Sequence, residues 1–236
     1  MDDRIEQKLI KAGDLREQEQ FGESAKLYTE CLIESLEKQD YSAQIHALCG
    51  QSLVYKIHAR GTNLQTYKNL TLAFAKEALD IFEKNQDHID PRTQSIALSS
   101  YADALYADGK ASDALPYFEK SLAVSPAPDP EKGRLKAHIG GVKYLLGDKQ
   151  NGINLINEGL AMIRTGDMTA YNIRVWETGA LNSLAKIYAI EGDKEKAESV
   201  IQESLSIATT HNLSIRKRDA EDILQKISEN RTDFSL

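Results

Sequence analysis

Small residues return at fixed offsets along this chain, and that recurrence restricts the fold more than any other feature of the sequence. Count Ser95 as the first place of a unit. Tyr101 and Ala102 then stand at places 7 and 8, Leu105 at 11, Gly109 at 15, Ala114 at 20, Phe118 at 24, Ser121 at 27 and Pro126 at 32. Residues 178–207 repeat the pattern, with Leu181, Leu184, Ala185, Tyr188, Gly192, Ala197, Ile201 and Ser204 at places 4, 7, 8, 11, 15, 20, 24 and 27. Residues 133–162 give Ile139, Gly140, Gly147, Gly152, Ile156 and Gly159 at 7, 8, 15, 20, 24 and 27, with glycine standing where alanine stood before. Two weaker copies lie upstream. One has Ala12-Gly13 with Ala25 and Tyr28; the other has Cys49-Gly50 and Leu53, then the run LTLAFAKEALDIF after an insertion around HARGTNLQTYKN. The place-8 residues are thus Gly13, Gly50, Ala102, Gly140 and Ala185. Self-similarity of this period is the mark of a repeat architecture, in which each unit buries its apolar face against its neighbours.

Local chemistry makes each unit a helix pair. Apolar residues in 181–207 recur at three and four, the helical period. Gly109, Gly147 and Gly192 each follow a periodic stretch and suit the left-handed residue that closes a helix. Asp148 and Asp193 come next and are expected to cap the following helix. Asp90-Pro91 and Asp129-Pro130 read as cap followed by proline at the first helical position, so helices are expected to start near 91 and 130. Pro116 lies near the start of a helix, where a slight bend is expected. SPAPDP at 125–130 reads as a turn between stacked repeats rather than a linker, because the pattern continues on both sides. Ile215, Ala220, Ile223, Leu224 and Ile227 share one stripe of a last helix, with Ser214 as its cap, and NRTDFSL beyond it is expected to fray.

Composition narrows the function. The chain has 236 residues, 41% hydrophobic and 28% charged, enough to bury a core. Its net charge of −7 argues against nucleic acid as a partner, since phosphate backbones repel it. The basic run Arg216-Lys217-Arg218 is followed by Asp219, Glu221 and Asp222, and reads as a solvated helix face. No run of about eighteen apolar residues occurs, so no membrane partner is expected. MDDRIEQKLIKAG lacks the basic start and apolar core of a signal peptide. Cys31 and Cys49 have no zinc-like spacing. A reduced, cytoplasmic protein is expected, and the Asn-x-Ser/Thr triplets at Asn69, Asn212 and Asn230 are then chance matches.

No constellation for catalysis is legible. His46 and Cys49 are three apart on a presumed helix, but two ligands do not make a zinc site, and Cys49 falls at a packing place. No G-x-S-x-G elbow occurs, and Gly140-Gly141 sits in mid-helix with no phosphate-loop pattern after it. No enzyme activity, metal or cofactor is expected.

The quoted places resemble the tetratricopeptide repeat, a helix A, a tight turn and a helix B. The resemblance implies an all-α, right-handed superhelical solenoid of stacked antiparallel helix pairs, one domain over residues 1–236. Its repeats are expected at 5–40, 42–86, 91–126, 130–164 and 172–212, with a capping helix at 214–229. It also implies an interaction module that binds another protein or peptide along a concave face lined by helix A, at places 2, 5, 6, 9, 12 and 13. Those places carry Gln44, Gln51 and Tyr55; Ser99, Ser100, Asp103 and Tyr106; Arg134, His138 and Tyr144; and Asn182, Ser183 and Lys186. Amides and hydroxyls there suit a peptide backbone, and tyrosines give flat contact area. The carboxylate clamp of the family's chaperone-binding members is not expected. Its places hold Ile10, Asp14, Leu48, Ile96 and Ser100, and Asp14 would repel a carboxylate. Trp176 is expected to pack between helices. A regulatory peptide-sensing subunit and a self-associating structural subunit are the alternatives, and the oligomeric state is left open.

Overall fold

A computed structural model describes residues 1–62 and 64–234. Among these there are eleven α-helices and no strand. They are α1 (Asp3–Glu17), α2 (Phe21–Glu37), α3 (Tyr41–Thr62), α4 (Gln65–Lys84), α5 (Pro91–Ala107), α6 (Ala111–Val124), α7 (Asp129–Leu145), α8 (Lys149–Ile163), α9 (Tyr171–Ile190), α10 (Lys194–Thr210) and α11 (Ser214–Ser228). They group into two compact units, Met1–Pro126 and Ala127–Leu236. Asn63, within the HARGTNLQTYKN insertion, lies outside the described residues.

The first unit holds three helix pairs, α1–α2, α3–α4 and α5–α6. Each helix packs on its partner, and α3 also packs against both α1 and α5. Small residues set the crossings. Buried Ser95 and Ser121 bond to each other at 2.9 Å, one from each helix of the α5–α6 pair. Ser24 donates its hydroxyl to the Ala12 carbonyl at 2.7 Å across α1–α2. This corrects the register of the first repeat. Ala12 and Ser24, both fully buried, make the close approach, whereas Ala25 is half-buried and a Cβ on Gly13 would meet only the Tyr28 hydroxyl, at 3.7 Å. Two adjacent small residues look alike in sequence, and only the burial of Ala12 tells them apart. Gly50 is the tight position on α3, where a Cβ would stand 2.2 Å from the buried Tyr28 ring. Apolar burial then runs through Ile45, Leu48, Leu79, Phe82, Ile89 and Leu98.

Turn geometry follows the sequence in part. Gly109, Gly147 and Gly192 have φ of 79°, 95° and 81°. Glu19, Gln39 and Asn212 do the same work without being glycine, at φ 61°, 55° and 54°. The hydrogen bonds match. Lys110 donates to the Leu105 carbonyl at 2.9 Å, and Gln20 donates to that of Leu15 at 2.9 Å. Asp90 caps α5 through the amides of Arg92 and Thr93, as expected. Asp129 does not cap α7. Extended Pro128 takes the cap position, and Asp129 is the first helical residue, its carboxylate still favourable in the first turn. Asp148 stands at the cap of α8 but turns its carboxylate to the Asn151 side chain instead. Asp193 caps α10 through the Lys196 amide. Leu213, not Ser214, occupies the cap of α11. Pro116 is accommodated within an unbroken α6.

His46 of α3 meets Thr93 Oγ1 of α5 at 3.3 Å, and that hydroxyl bonds to Asp90 at 2.7 Å, so the imidazole leans on the α5 cap. Burial pushes its pKa below the usual 6.5, against the pull of Asp90. A histidine held neutral in the fold binds fewer protons than in the unfolded chain. Its stability contribution is complete above pH 6.5 and falls as pH drops from 6.5 towards the folded value. His46→Gln is expected to flatten that slope in urea midpoints measured between pH 7.5 and about 5.5. An unchanged slope would remove His46 as its source.

The second unit packs α7 on α8, α9 on α10, and α11 against both α10 and α9. The α7–α8 crossing is made of glycines. A Cβ on Gly140 would lie 2.5 Å from the Gly152 carbonyl oxygen, and one on Gly133 would lie 2.5 Å from that of Gly159. Tyr144, Ile156, Leu160, Ile163, Leu181 and Leu184 fill the space beside them. The connector after α8 is pinned by one buried carboxylate. Glu177 on α9 accepts from Arg164 Nε and from Arg174 Nη1, each at 2.8 Å. Arg174 also holds the Met168 carbonyl at 2.7 Å, and Arg164 reaches Glu203 of α10. Burial works against the Arg164 charge, but these carboxylates outweigh it and raise its pKa. α11 turns Ile215, Ala220, Ile223 and Ile227 inward and leaves Lys217, Arg218, Glu221 and Asp222 exposed. Phe234 packs against that core, while Asn230, Arg231, Thr232 and Asp233 are exposed beyond the helix; Ser235 and Leu236 lie outside the described residues.

Candidate partner-binding surface

Parallel neighbours α3 and α5 in the first unit, and α7 and α9 in the second, carry the thirteen sequence-predicted residues. A helix in such a layer turns its apolar stripe to packing and keeps the opposite face for solvent.

Five of the thirteen are buried: Gln44, Gln51, Ser99, Tyr144 and Asn182. Their polar atoms serve the fold, apart from Gln51 Oε1, which is buried without a hydrogen-bond partner among the described residues. Gln44 donates to the Ser35 carbonyl at 3.2 Å, and Gln51 to the Ala25 carbonyl and Thr29 Oγ1 at 2.8 and 2.7 Å. Ser99 bonds to the Ile96 carbonyl at 3.2 Å, and Asn182 accepts from Ser204 at 2.6 Å. Tyr144 donates to Glu191 Oε1 at 2.5 Å, beside Lys149 at 2.8 Å. Burial first, then the Glu191 bond, raises the phenol pKa; the Lys149 and Tyr144 bonds hold the Glu191 carboxyl below the usual range.

The other eight are half-exposed. In the first unit Tyr55 lies parallel to Phe74, ring centroids 5.6 Å apart, and stacks on Tyr67 at 6.1 Å. Asp103 accepts from Lys56 at 2.9 Å, and Tyr106 meets Phe118 edge-on at 6.5 Å. Ser100 sits beside Cys49, whose thiol burial pushes up to about 12 while the Ser100 hydrogen bond opposes the rise. That thiol is a packing group rather than a nucleophile. In the second unit the Arg134 guanidinium lies 5.9 Å from the Trp176 ring centroid. Trp176 is half-buried and packs on the α7–α9 core, as expected. His138 stands one turn along α7 from Arg134, while Ser183 and Lys186 follow on α9, the Ser183 hydroxyl bonded to the Gly179 carbonyl at 3.1 Å. Among the described residues no group of three or more His, Cys, Asp or Glu could hold a metal ion, and no helix is long and apolar enough to cross a membrane.

No family model matches the chain, and no curated protein matches it. Solved structures do. A putative kinesin light chain with nearly identical TPR-like repeats from Podosopora anserina superposes with a TM-score of 0.56 at 14% identity, over 88% of this chain and 96% of that one. The BtubC protein of P. vanneervenii superposes at 0.57 with 13% identity, over 89% and 90%. A Pyrococcus horikoshii signal transduction ATPase with a tetratricopeptide repeat sensor gives 0.53 at 19% identity, over 87% of this chain but 33% of that one. The fold is that of the tetratricopeptide-like repeat proteins.

Within this tetratricopeptide-like array, two groups at the candidate surface have no counterpart in the sequence reading. Lys56 neutralises Asp103, and His58 joins Tyr67 and Phe21 edge-on at 4.5 and 5.3 Å to extend the ring cluster around Tyr55. A signal for the first exists. His46 with Thr93, Cys49 with Ile96 and Lys56 with Asp103 are each 47 apart in sequence, so parallel helices hold one constant offset. One such pair would have predicted the others.

Proposed function

We propose that this chain is a non-catalytic protein-interaction module that holds a segment of a partner protein on the solvent-facing stripes of α3 and α5 in the first unit or of α7 and α9 in the second. The observation that carries this reading is the division of labour among the thirteen residues. Buried members are consumed by packing. The half-exposed ones, among them Tyr55, Ser100, Tyr106, His138 and Lys186, form stripes of mixed ring, hydroxyl and cationic character. Such stripes give recognition without chemistry: rings supply contact area at low entropy cost, and polar groups fix register. The reading includes no cofactor and a cytoplasmic location.

Peptide-display selection against the purified chain tests it, run beside the double variant Ser100→Arg with His138→Glu. A motif enriched on the parent and lost on the variant is expected. Enrichment that survives the variant, or none on either, would move function to another face.

A further inference from the structure

Of the chain's asparagines only Asn151 is followed by glycine. A glycine nitrogen has no side chain beside it to shield the preceding side-chain amide, so this pair is the asparagine site most open to loss of ammonia. Asn151 is exposed and stands in the first turn of α8, where the leading amides have no acceptor within the helix. Asp148 at the cap makes no side-chain bond to those amides; its carboxylate accepts from Asn151 Nδ2 at 2.8 Å instead. The attacking atom is held back by the helix. Gly152 N donates to the Asp148 carbonyl at 2.9 Å, along the helix axis and away from the Asn151 side chain. The chain cannot avoid the pair by changing its glycine. A Cβ on Gly152 would stand 2.6 Å from the Gly140 carbonyl oxygen and 2.7 Å from Tyr144 N, so the α7–α8 crossing requires that residue. Close packing thus sets a labile pair at the seam it makes. Asn182, which is followed by serine, is buried in mid-α9 and bonded to Ser204 at 2.6 Å.

We propose that Asn151–Gly152 is a covalent modification site gated by α8, and that the modified chain cannot re-form the α7–α8 crossing. When α8 unwinds, Gly152 N gives its proton to solvent base and attacks Asn151 Cγ. A carbon–nitrogen bond forms, the side-chain nitrogen leaves as ammonia, and a cyclic imide remains. Water then opens the imide at either carbonyl and gives aspartate or isoaspartate. Water is consumed, ammonia is released, and nothing is oxidised or reduced. Aspartate at 151 sets a second carboxylate against that of Asp148, a repulsion that the helix N-terminus offsets in part. Isoaspartate does more damage. It runs the main chain through the former side chain, lengthens the backbone by a methylene just before Gly152, and so carries that glycine off Gly140. Unwinding of α8 is then recorded as a permanent change.

The test holds the full chain in mildly alkaline buffer, once folded and once in denaturing urea. Conversion is mapped by peptide mass, and enzymatic methylation of isoaspartate marks that product. Asn151 is expected to convert about tenfold or more faster in urea than in the fold, ahead of every other asparagine and of the Asp108–Gly109 pair. After urea is removed, chains carrying isoaspartate are expected to lack amide-exchange protection in α7 and α8, while α5 and α6 regain theirs. Asn151→Gln keeps an amide but has to close a larger ring, and is expected to regain full protection after the same treatment. Equal rates in the fold and in urea would overturn the gating. Earlier conversion at any other residue would overturn the site. Parent-like protection of α7 and α8 in the isoaspartate chains would overturn the consequence, and so would lost protection in Asn151→Gln, which would place the damage elsewhere.

Discussion

Replacing Gly140 with alanine is expected to cost the second unit roughly 3 kcal/mol, the upper part of the range for overpacking. The new methyl would stand 2.5 Å from the Gly152 carbonyl oxygen, 2.7 Å from Ile156 Cγ1 and 2.8 Å from Ile156 N. Two of those atoms belong to the backbone of a packed helix and cannot turn aside as a side-chain tip can. α8 has to move as a body, and it would carry Gly159 off Gly133 as it went. Alanine's better helix propensity, about 1 kcal/mol over glycine, offsets only part of this. Gly179→Ala makes the opposite case. The same change in mid-helix meets no atom within 4 Å, so propensity alone acts and a gain of about 1 kcal/mol is expected. Denaturant midpoints of the two variants decide the matter. If both shift in the same direction, glycine is present in α7 for a reason other than close approach.

Glu177→Ala is expected to cost about 3 kcal/mol, since it removes one partner of a buried ion-pair group. The Glu177 side chain is 3% exposed, whereas those of Arg164 and Arg174 are 40% and 20% exposed. The two cations can therefore recover some water, which keeps the loss near the lower end of what a fully buried triad shows. Glu177→Gln keeps the shape and one of the two acceptor bonds while turning an amide NH2 towards the other guanidinium, and should cost less, about 2 kcal/mol. The damage should be local as well as global. Arg174 holds the Met168 carbonyl, so amide exchange across 164–171 is expected to rise before the cores on either side open. An unchanged exchange pattern with a lowered global stability would mean that Glu177 supports α9 but not the connector.

The helix pairs were legible in the sequence because their determinants are local. Gly109, Gly147 and Gly192 close their helices by the conformation that glycine alone adopts without cost, and the small residues at Ala102, Ala114, Gly140, Gly152, Ala185 and Ala197 recur at one interval. Glu19 and Gln39 escaped that logic. The same left-handed turns are imposed there by packing on both sides, and nothing in a glutamate or a glutamine announces it. Candidate site residues were legible as positions but not as exposures. A place on helix A says which way a Cβ points; whether Gln51 meets water or the Ala25 carbonyl depends on how closely α2 approaches. The Arg174–Glu177 pair, three apart on one helix, could have been read from the sequence, but the partner Arg164 lies before a connector of irregular length and could not.

Equivalent contacts within the helix pairs keep the same separation along the chain. Ala12 with Ser24 and Gly140 with Gly152 are each 12 apart, and Ser95 with Ser121, Gly133 with Gly159 and Thr178 with Ser204 are each 26 apart. Each pair thus behaves as a cassette of fixed internal length. A residue inserted in its turn would throw every small-on-small match out of phase, while a residue inserted between cassettes would disturb none of them. Length differences among related chains should accordingly collect after α2, α4, α6, α8 and α10. The α3–α4 pair departs from this rule. It is joined through the insertion around residues 60–64 and backed by the stacked rings of Tyr55, Tyr67 and Phe74. Rings slide over one another with little loss where interlocked glycines cannot, so this cassette is expected to tolerate growth from within.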